Sequence, residues 1–132
     1  MSKKVVIVED EPLLLKALNI ELLSSGFEAI SVSDGEAAWK LIKENKPDLV
    51  LLDLVIPKLS GYEVLRMMKE DAETKAIPVI ILSNLGQKEE MLRGLALGAE
   101  DFFVKSNTEL SQIIEKINKI LNINNKTWNS RG

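Results

Sequence analysis

Residues 48–53 read Asp-Leu-Val-Leu-Leu-Asp, an aliphatic run entered through Pro47 and left through Pro57. A run this short, with no polar alternation, is a strand that is apolar on both faces, as in parallel sheets covered by helices on each side. The rest of the chain must then supply neighbouring strands and amphipathic helices for two layers. The run ends in Asp53, and open α/β sheets bind ligands at the carboxyl ends of their strands. Most acids at such a position merely begin a loop, so Asp53 alone decides nothing.

The remaining chain supplies what the central strand requires. Lys4 to Val8 is a β-branched run that ends in Glu9-Asp10-Glu11, and Pro12 then suits the first turn of a helix. Leu14, Leu15, Leu18 and Leu22 give that helix an apolar stripe, with Gly26 placed to end it. Phe27 to Val32 reads as a second strand. Ser33-Asp34-Gly35 starts a helix carrying Ala38, Leu41 and Ile42, with Trp39 as a packing or partly exposed residue. After the central strand, Ser60-Gly61-Tyr62-Glu63 reads as a capping box opening a helix with Val64, Leu65, Met67 and Met68. Pro78 to Leu82 is a fourth strand, ending in Ser83-Asn84. Gln87 to Leu97 is a helix with a thin apolar face, weakened by Gly94 and closed by Gly98. Phe102-Phe103-Val104 is a fifth strand, ending in Lys105. Ser106 to Glu109 reads as a second capping box, before a helix with Leu110, Ile113, Ile114, Ile117 and Leu121. Residues 123–132 form a polar tail in which Trp128 stands out.

Strands separated by helical segments imply right-handed crossovers and a parallel sheet. The fold class read from the pattern is α/β, a doubly wound five-stranded parallel sheet. A chain of 132 residues makes one domain, taken as 1–122, and 45% hydrophobic residues suffice for its core.

Composition narrows the chemistry. Without cysteine there are no disulfides, thiolate metal sites or cysteine nucleophiles, and without histidine there is no imidazole base, zinc ligand or phosphohistidine carrier. Carboxylate, lysine and hydroxyl groups remain. A net charge of −3 with dispersed basic residues gives no case for nucleic acid or an anionic membrane. With no long apolar segment or signal peptide pattern, a soluble, cytoplasmic protein is expected.

The sheet brings the strand ends to one edge, so Glu9, Asp10, Asp53, Ser83 and Lys105 should converge there. Two like charges about 4 Å apart repel by roughly 4 kcal/mol at an effective dielectric of 20. Either one acid takes a proton or a cation sits among them. Oxygen-only ligands select a hard ion, Mg²⁺ or Mn²⁺ in its place. Asp53 is the candidate nucleophile, able to form an aspartyl-phosphate, while Lys105 and the Ser83 hydroxyl could stabilise a phosphoryl group. Each residue also has an ordinary role open to it. Lys105 could be a structural ion-pair partner and Ser83 a cap, and for Glu11 the preferred reading is an acid favoured by the helix dipole.

These residues stand in motifs: Val8-Glu9-Asp10, the stretch from Leu51 to Glu63, Pro78 to Ser83, and Gly98-Ala99-Glu100-Asp101-Phe102-Phe103-Val104-Lys105. Together they resemble the receiver domain of two-component response regulators, over roughly residues 3 to 122. The chain is similar to single-domain, chemotaxis-regulator-like members. The resemblance implies a flavodoxin-like (βα)5 fold with strand order 2-1-3-4-5. It implies that Asp53 takes a phosphoryl group from a sensor histidine kinase or phosphotransfer protein, without turnover as an enzyme. It further implies Mg²⁺ held by Asp10, Asp53 and the Val55 backbone carbonyl, with Glu9 acting through water. Ser83 and Lys105 would contact the phosphoryl group, and Ser83 and Phe102 would switch a surface over 87–121 that meets a downstream protein or a second copy.

Three positions depart from the family pattern. Ser106 follows Lys105 where proline is common, and a cis bond before a non-proline residue costs roughly 2.5–4 kcal/mol, so a trans peptide or altered loop is expected. Phe102 lacks a hydroxyl. Val55 and Leu85, at positions that govern attack of water on the phosphoryl group, are aliphatic, so slow self-dephosphorylation is expected. The competing readings are a phosphorylation-independent scaffold, a receiver portion of a longer regulator, an FMN carrier and an aspartyl phosphohydrolase. Three acids after the first strand would repel an FMN phosphate, and Val55 occupies the place where a phosphohydrolase wants its second acid.

Overall fold

A computed structural model describes residues 2–84 and 86–122. Leu85, the expected tail over 123–132 and Trp128 within it lie outside the described residues. Five strands alternate with five helices: β1 Lys4–Val8, α1 Pro12–Ser24, β2 Glu28–Val32, α2 Gly35–Asn45, β3 Leu49–Asp53, α3 Gly61–Glu70, β4 Val79–Ser83, α4 Lys88–Leu97, β5 Asp101–Val104 and α5 Leu110–Ile120. The strands form one parallel sheet in the order β2-β1-β3-β4-β5, so the fully buried run Leu49–Asp53 lies at its centre.

Successive strand side chains point to opposite faces, and the aliphatic runs divide accordingly. Val6, Val8, Val50, Leu52, Val79 and Ile81 pack with Ala38 and Ile42 of α2, Val64, Leu65 and Met68 of α3, and Met91 of α4. Val5, Ile7, Leu49, Leu51, Ile80 and Leu82 pack with Leu18 and Leu22 of α1 and Ile113, Ile114 and Ile117 of α5. Each such side chain contributes about 1.5–3 kcal/mol on burial.

The helix ends depart from expectation in two places. The Ser60 hydroxyl accepts from the Glu63 N–H at 3.1 Å, but the Glu63 carboxylate pairs with Arg66 at 2.6 Å instead of returning to the cap. The box is half made, because a guanidinium one turn on offers a charged partner. The second box shifts by three residues. Lys105–Asn107 curls into a 3-10 turn, so α5 starts at Leu110, where Gln112 Oε1 accepts from the Glu109 N–H at 2.8 Å. Thr108 donates to the Val104 carbonyl at 2.7 Å and closes that turn. Gly94, read as a weakness of α4, has a packing reason. A Cβ there would overlap Ile81 Cδ1, so its absence lets α4 lie close against β4.

Candidate functional site

The parallel order sets the site. β1 and β3 are neighbours, with Val8 opposite Leu52, so the residues that follow, Glu9 and Asp53, emerge side by side at the centre of the carboxyl edge. Glu9 is fully buried and the Asp53 side chain is 2% exposed. Carboxylate oxygens of Glu9, Asp10 and Asp53 all lie within 4.8 Å of one another, with Asp10 on the exposed side. A glycine makes the central position possible. A Cβ on Gly61 would overlap the Asp53 carbonyl oxygen and stand 2.7 Å from Leu54 Cα, so only glycine lets the start of α3 press against the end of β3.

Lys105, at the end of the edge strand β5, reaches into this group. Its ammonium donates to Asp53 Oδ2 at 2.9 Å, to Glu9 Oε2 at 2.9 Å and to Glu11 Oε2 at 2.8 Å. Burial alone pulls its pKa down. Hydrogen bonds to Glu11, Asp53 and Glu9 outweigh that, and the group titrates above the ordinary lysine range. On the acids burial wins. Glu9 is pushed up from 4.5 to about 7 by loss of solvent, opposed by Lys105 and reinforced by the Asp53 charge. Asp53 is likewise raised by burial, against the pull of Lys105 and of the Val55 N–H, which donates to Asp53 Oδ1 at 3.1 Å.

One cation therefore does not satisfy the acids. Both buried carboxylates hold a proton more tightly than in water, and Glu9 Oε1 is buried with no hydrogen-bond partner. An oxygen-only donor set with an unmet demand for positive charge fits a hard divalent ion, Mg²⁺ or Mn²⁺.

Not every expected residue joins the group. Ser83 is fully buried, but its hydroxyl is turned away from the acids and donates to Met91 Sδ at 2.8 Å, with the Phe103 carbonyl at 3.4 Å. Phe102 packs half-buried against the α4 side of the core. Val55 is 54% exposed and aliphatic. Among the described residues every peptide bond is trans, that from Lys105 to Ser106 included. Glu11 stands at the N-terminal end of α1, where the helix dipole favours an acid, and its carboxylate is in addition a partner of Lys105. The signal was present as the third acid of the run after β1, but the partner lies far along the chain. Met91, which nothing in the pattern of the helix over 87–97 singles out, receives the Ser83 hydroxyl.

Comparison with known proteins agrees with this geometry. A family model described as the response regulator receiver domain matches residues 5–118. The chain is 39% identical over 105 residues to the phosphate regulon transcriptional regulatory protein PhoB of Rhizobium meliloti, covering 80% of this chain and 46% of that protein. It is 36% identical over 105 residues to the alkaline phosphatase synthesis transcriptional regulatory protein PhoP of Bacillus subtilis, covering 80% and 43%. The chain thus spans less than half the length of these relatives. Among solved structures, the receiver domain of the Francisella response regulator 1452 superposes with a TM-score of 0.83 at 26% identity, over 92% of this chain and 98% of that one. The BeF3-activated N-terminal receiver domain of Klebsiella pneumoniae RstA gives 0.81 at 26%, over 89% and 97%. With the strand order, the acidic cluster and these matches in agreement, the chain belongs to the response regulator receiver domain family.

Proposed function

We propose that this domain accepts a phosphoryl group on Asp53 from the phosphohistidine of a sensor histidine kinase or phosphotransfer protein, and relays that event as a change of shape. The observation that carries the reading is a buried Asp53 carboxylate with the Lys105 ammonium at 2.9 Å and two further acids within 4.8 Å. A nucleophile, a cation for the developing charge and a cluster suited to a hard ion meet at one point. In the transfer, an Asp53 carboxylate oxygen forms a bond to phosphorus while the bond from phosphorus to the donor imidazole nitrogen breaks. The electron pair stays on that nitrogen, which takes a proton. Lys105 steadies the charge on the transferred group, and its hold on Asp53 orients the attacking oxygen. Glu9, Asp10, Asp53 and the Val55 carbonyl would hold Mg²⁺, which when bound supplies positive charge to the phosphoryl oxygens. This is one phosphorylation event per domain rather than turnover, and we place it in the cytoplasm. Among the described residues no helix is long and apolar enough to cross a membrane.

The signal would leave through Ser83. Turning its hydroxyl from Met91 to the phosphoryl group removes a bond that ties β4 to α4, and Phe102 can then follow inward. Gly86, Lys88, Met91, Leu92, Phe102 and Val104 line an apolar groove of about 410 Å³ there. From Lys88 onward it belongs to the surface over 87–121 that we assign to a downstream protein or a second copy. Unchanged amide exchange over 86–104 on phosphorylation would count against this route.

The deciding experiment is intact mass after incubation with acetyl phosphate, with and without Mg²⁺, beside Asp53→Asn. One added phosphoryl that requires Mg²⁺ and is lost in the variant is expected. No adduct under any condition leaves the scaffold reading. The proposal concerns residues 5–118 only. In relatives the matching stretch belongs to transcriptional regulators more than twice as long, so a receiver within a longer regulator is the second reading.

A further inference from the structure

We infer that the Glu11 carboxylate is an exchangeable stand-in for a phosphoryl oxygen on Lys105, holding the ammonium at the site until a phosphoryl group displaces it. The inference rests on the phospho-acceptor reading of Asp53 and names a positioning residue for it.

The argument starts from donor counting. A lysine ammonium has three N–H donors, and here each finds a carboxylate: Glu9 at 2.9 Å, Asp53 at 2.9 Å and Glu11 at 2.8 Å. A phosphoryl oxygen can be bound by Lys105 only if one of these bonds is given up. Glu9 and Asp53 are 0% and 2% exposed at the side chain, so water cannot take the place of the lost donor, and the unpartnered Glu9 Oε1 offers a metal ion an oxygen that Lys105 does not use. Glu11 is 55% exposed, and water replaces the ammonium there at little cost. Glu11 is therefore the partner that leaves.

Its backbone is built for that position. Glu11 is the N-cap residue of α1, yet its side chain makes no capping bond and is free to reach outward to Lys105. Its own N–H donates to Glu9 Oε2 at 3.1 Å, the same oxygen that takes Lys105, and Pro12 follows at the first helical position. A closed ring of bonds thus links residue 11, Glu9 and the ammonium. Lys105 needs such a tether because it opens the 3-10 turn that follows the edge strand and must reach across the sheet edge. Once a phosphoryl group is in place, a retained Glu11 carboxylate would repel it, which again favours its departure into solvent.

The test is phosphorylation by acetyl phosphate at saturating Mg²⁺, followed by intact mass as a function of donor concentration. In Glu11→Gln the competing anion is gone, so the half-saturating donor concentration is expected to fall by up to about fivefold, the factor an exposed ion pair of this kind is worth. The maximal rate should change less. Glu90→Gln removes the same unit charge from the groove beside Val55 without touching Lys105, and serves as the field control. An unchanged or higher half-saturating concentration in Glu11→Gln overturns the inference, as does an equal fall in Glu90→Gln. A second readout needs neither donor nor Mg²⁺. The Lys105 side-chain nitrogen resonance is expected to shift in Glu11→Gln, and no shift overturns the contact itself. Wild-type protein that acquires no phosphoryl group overturns both this inference and the reading it rests on. Wild-type protein that loads normally while Glu11→Gln behaves identically overturns this inference alone.

Discussion

Asp53→Asn is expected to stabilise the metal-free protein while removing its proposed phospho-acceptor. The oxygens of Glu9, Asp10 and Asp53 lie within 4.8 Å of one another. At that separation and an effective dielectric near 20, each like-charge pair costs about 3.5 kcal/mol. Lys105, 2.9 Å from Asp53, returns about 5.7 kcal/mol on the same scale. Neutralising Asp53 removes two repulsions and one attraction, which leaves about 1 kcal/mol in favour of the variant. The exposed Asp10 is partly screened, which lowers this figure. Burial of the ionised carboxylate, costly in itself, raises it. Asparagine keeps one oxygen for the Val55 N–H, while its NH2 takes the place of Oδ2, so the Lys105 bond goes with the attraction already subtracted. The net expectation is a gain of about 1–3 kcal/mol, and the raised pKa of Asp53 has the same sign, since it marks the charged form as disfavoured in the fold. Urea unfolding in EDTA, at a pH where Glu9 is ionised, measures it. Adding Mg²⁺ should stabilise the wild type by mass action and narrow or reverse the gap. A variant no more stable than the wild type in EDTA would refute the reasoning, because crowding among the acids would then not be what the site stores.

Three further outcomes are expected. The Glu9 carboxyl is raised from 4.5 to about 7, so the folded state holds this proton more tightly than the unfolded chain. Its contribution to stability is full below about 4.5 and is lost as pH rises through about 7. Glu9→Gln should therefore flatten the pH dependence of urea midpoints in EDTA, and an unaltered slope would contradict this. Gly61→Ala places a Cβ against the Asp53 carbonyl and 2.8 Å from its carbon, where backbone cannot step aside. A loss of about 1–3 kcal/mol is expected, beyond the gain of up to about 1 kcal/mol that alanine brings to a helix. A urea midpoint equal to wild type would show that the two segments are not in close approach. Val55→Asn puts a polar amide at the half-exposed position next to the site, and should shorten the half-life of the phosphorylated protein. A half-life that does not fall would remove the aliphatic side chain as a reason to expect slow hydrolysis.

Much of the architecture was legible before any coordinates because burial writes itself into short aliphatic runs. Val5 to Val8, Leu49 to Leu52 and Val79 to Leu82 are unbroken because both of their faces are covered, one by α1 and α5, the other by α2, α3 and α4. The convergence of Glu9, Asp10, Asp53 and Lys105 followed from the same reasoning, since each stands where a parallel strand ends. The strand order itself came from family resemblance and not from the pattern of residues. Local signals were less faithful where a second local partner competed. Glu63 left its cap for Arg66, and Ser106 joined a 3-10 turn instead of capping α5.

The sequence by itself determined the layers, the edge on which chemistry can occur and the exclusion of imidazole and thiol, since these depend on residue type and on periodicities of two and 3.6. Tertiary structure alone decided that Glu11 joins the charges at that edge. Glu11 and Lys105 are 94 positions apart, and no local rule pairs them. It also decided that Ser83 faces Met91 and not the acids, and that Gly94 and Gly61 serve close approach. The physical reason is range. The sequence signals of burial and of helix caps lie within a few residues of one another, whereas the partners of a charge are set by whichever groups the folded sheet brings within about 3 Å of it.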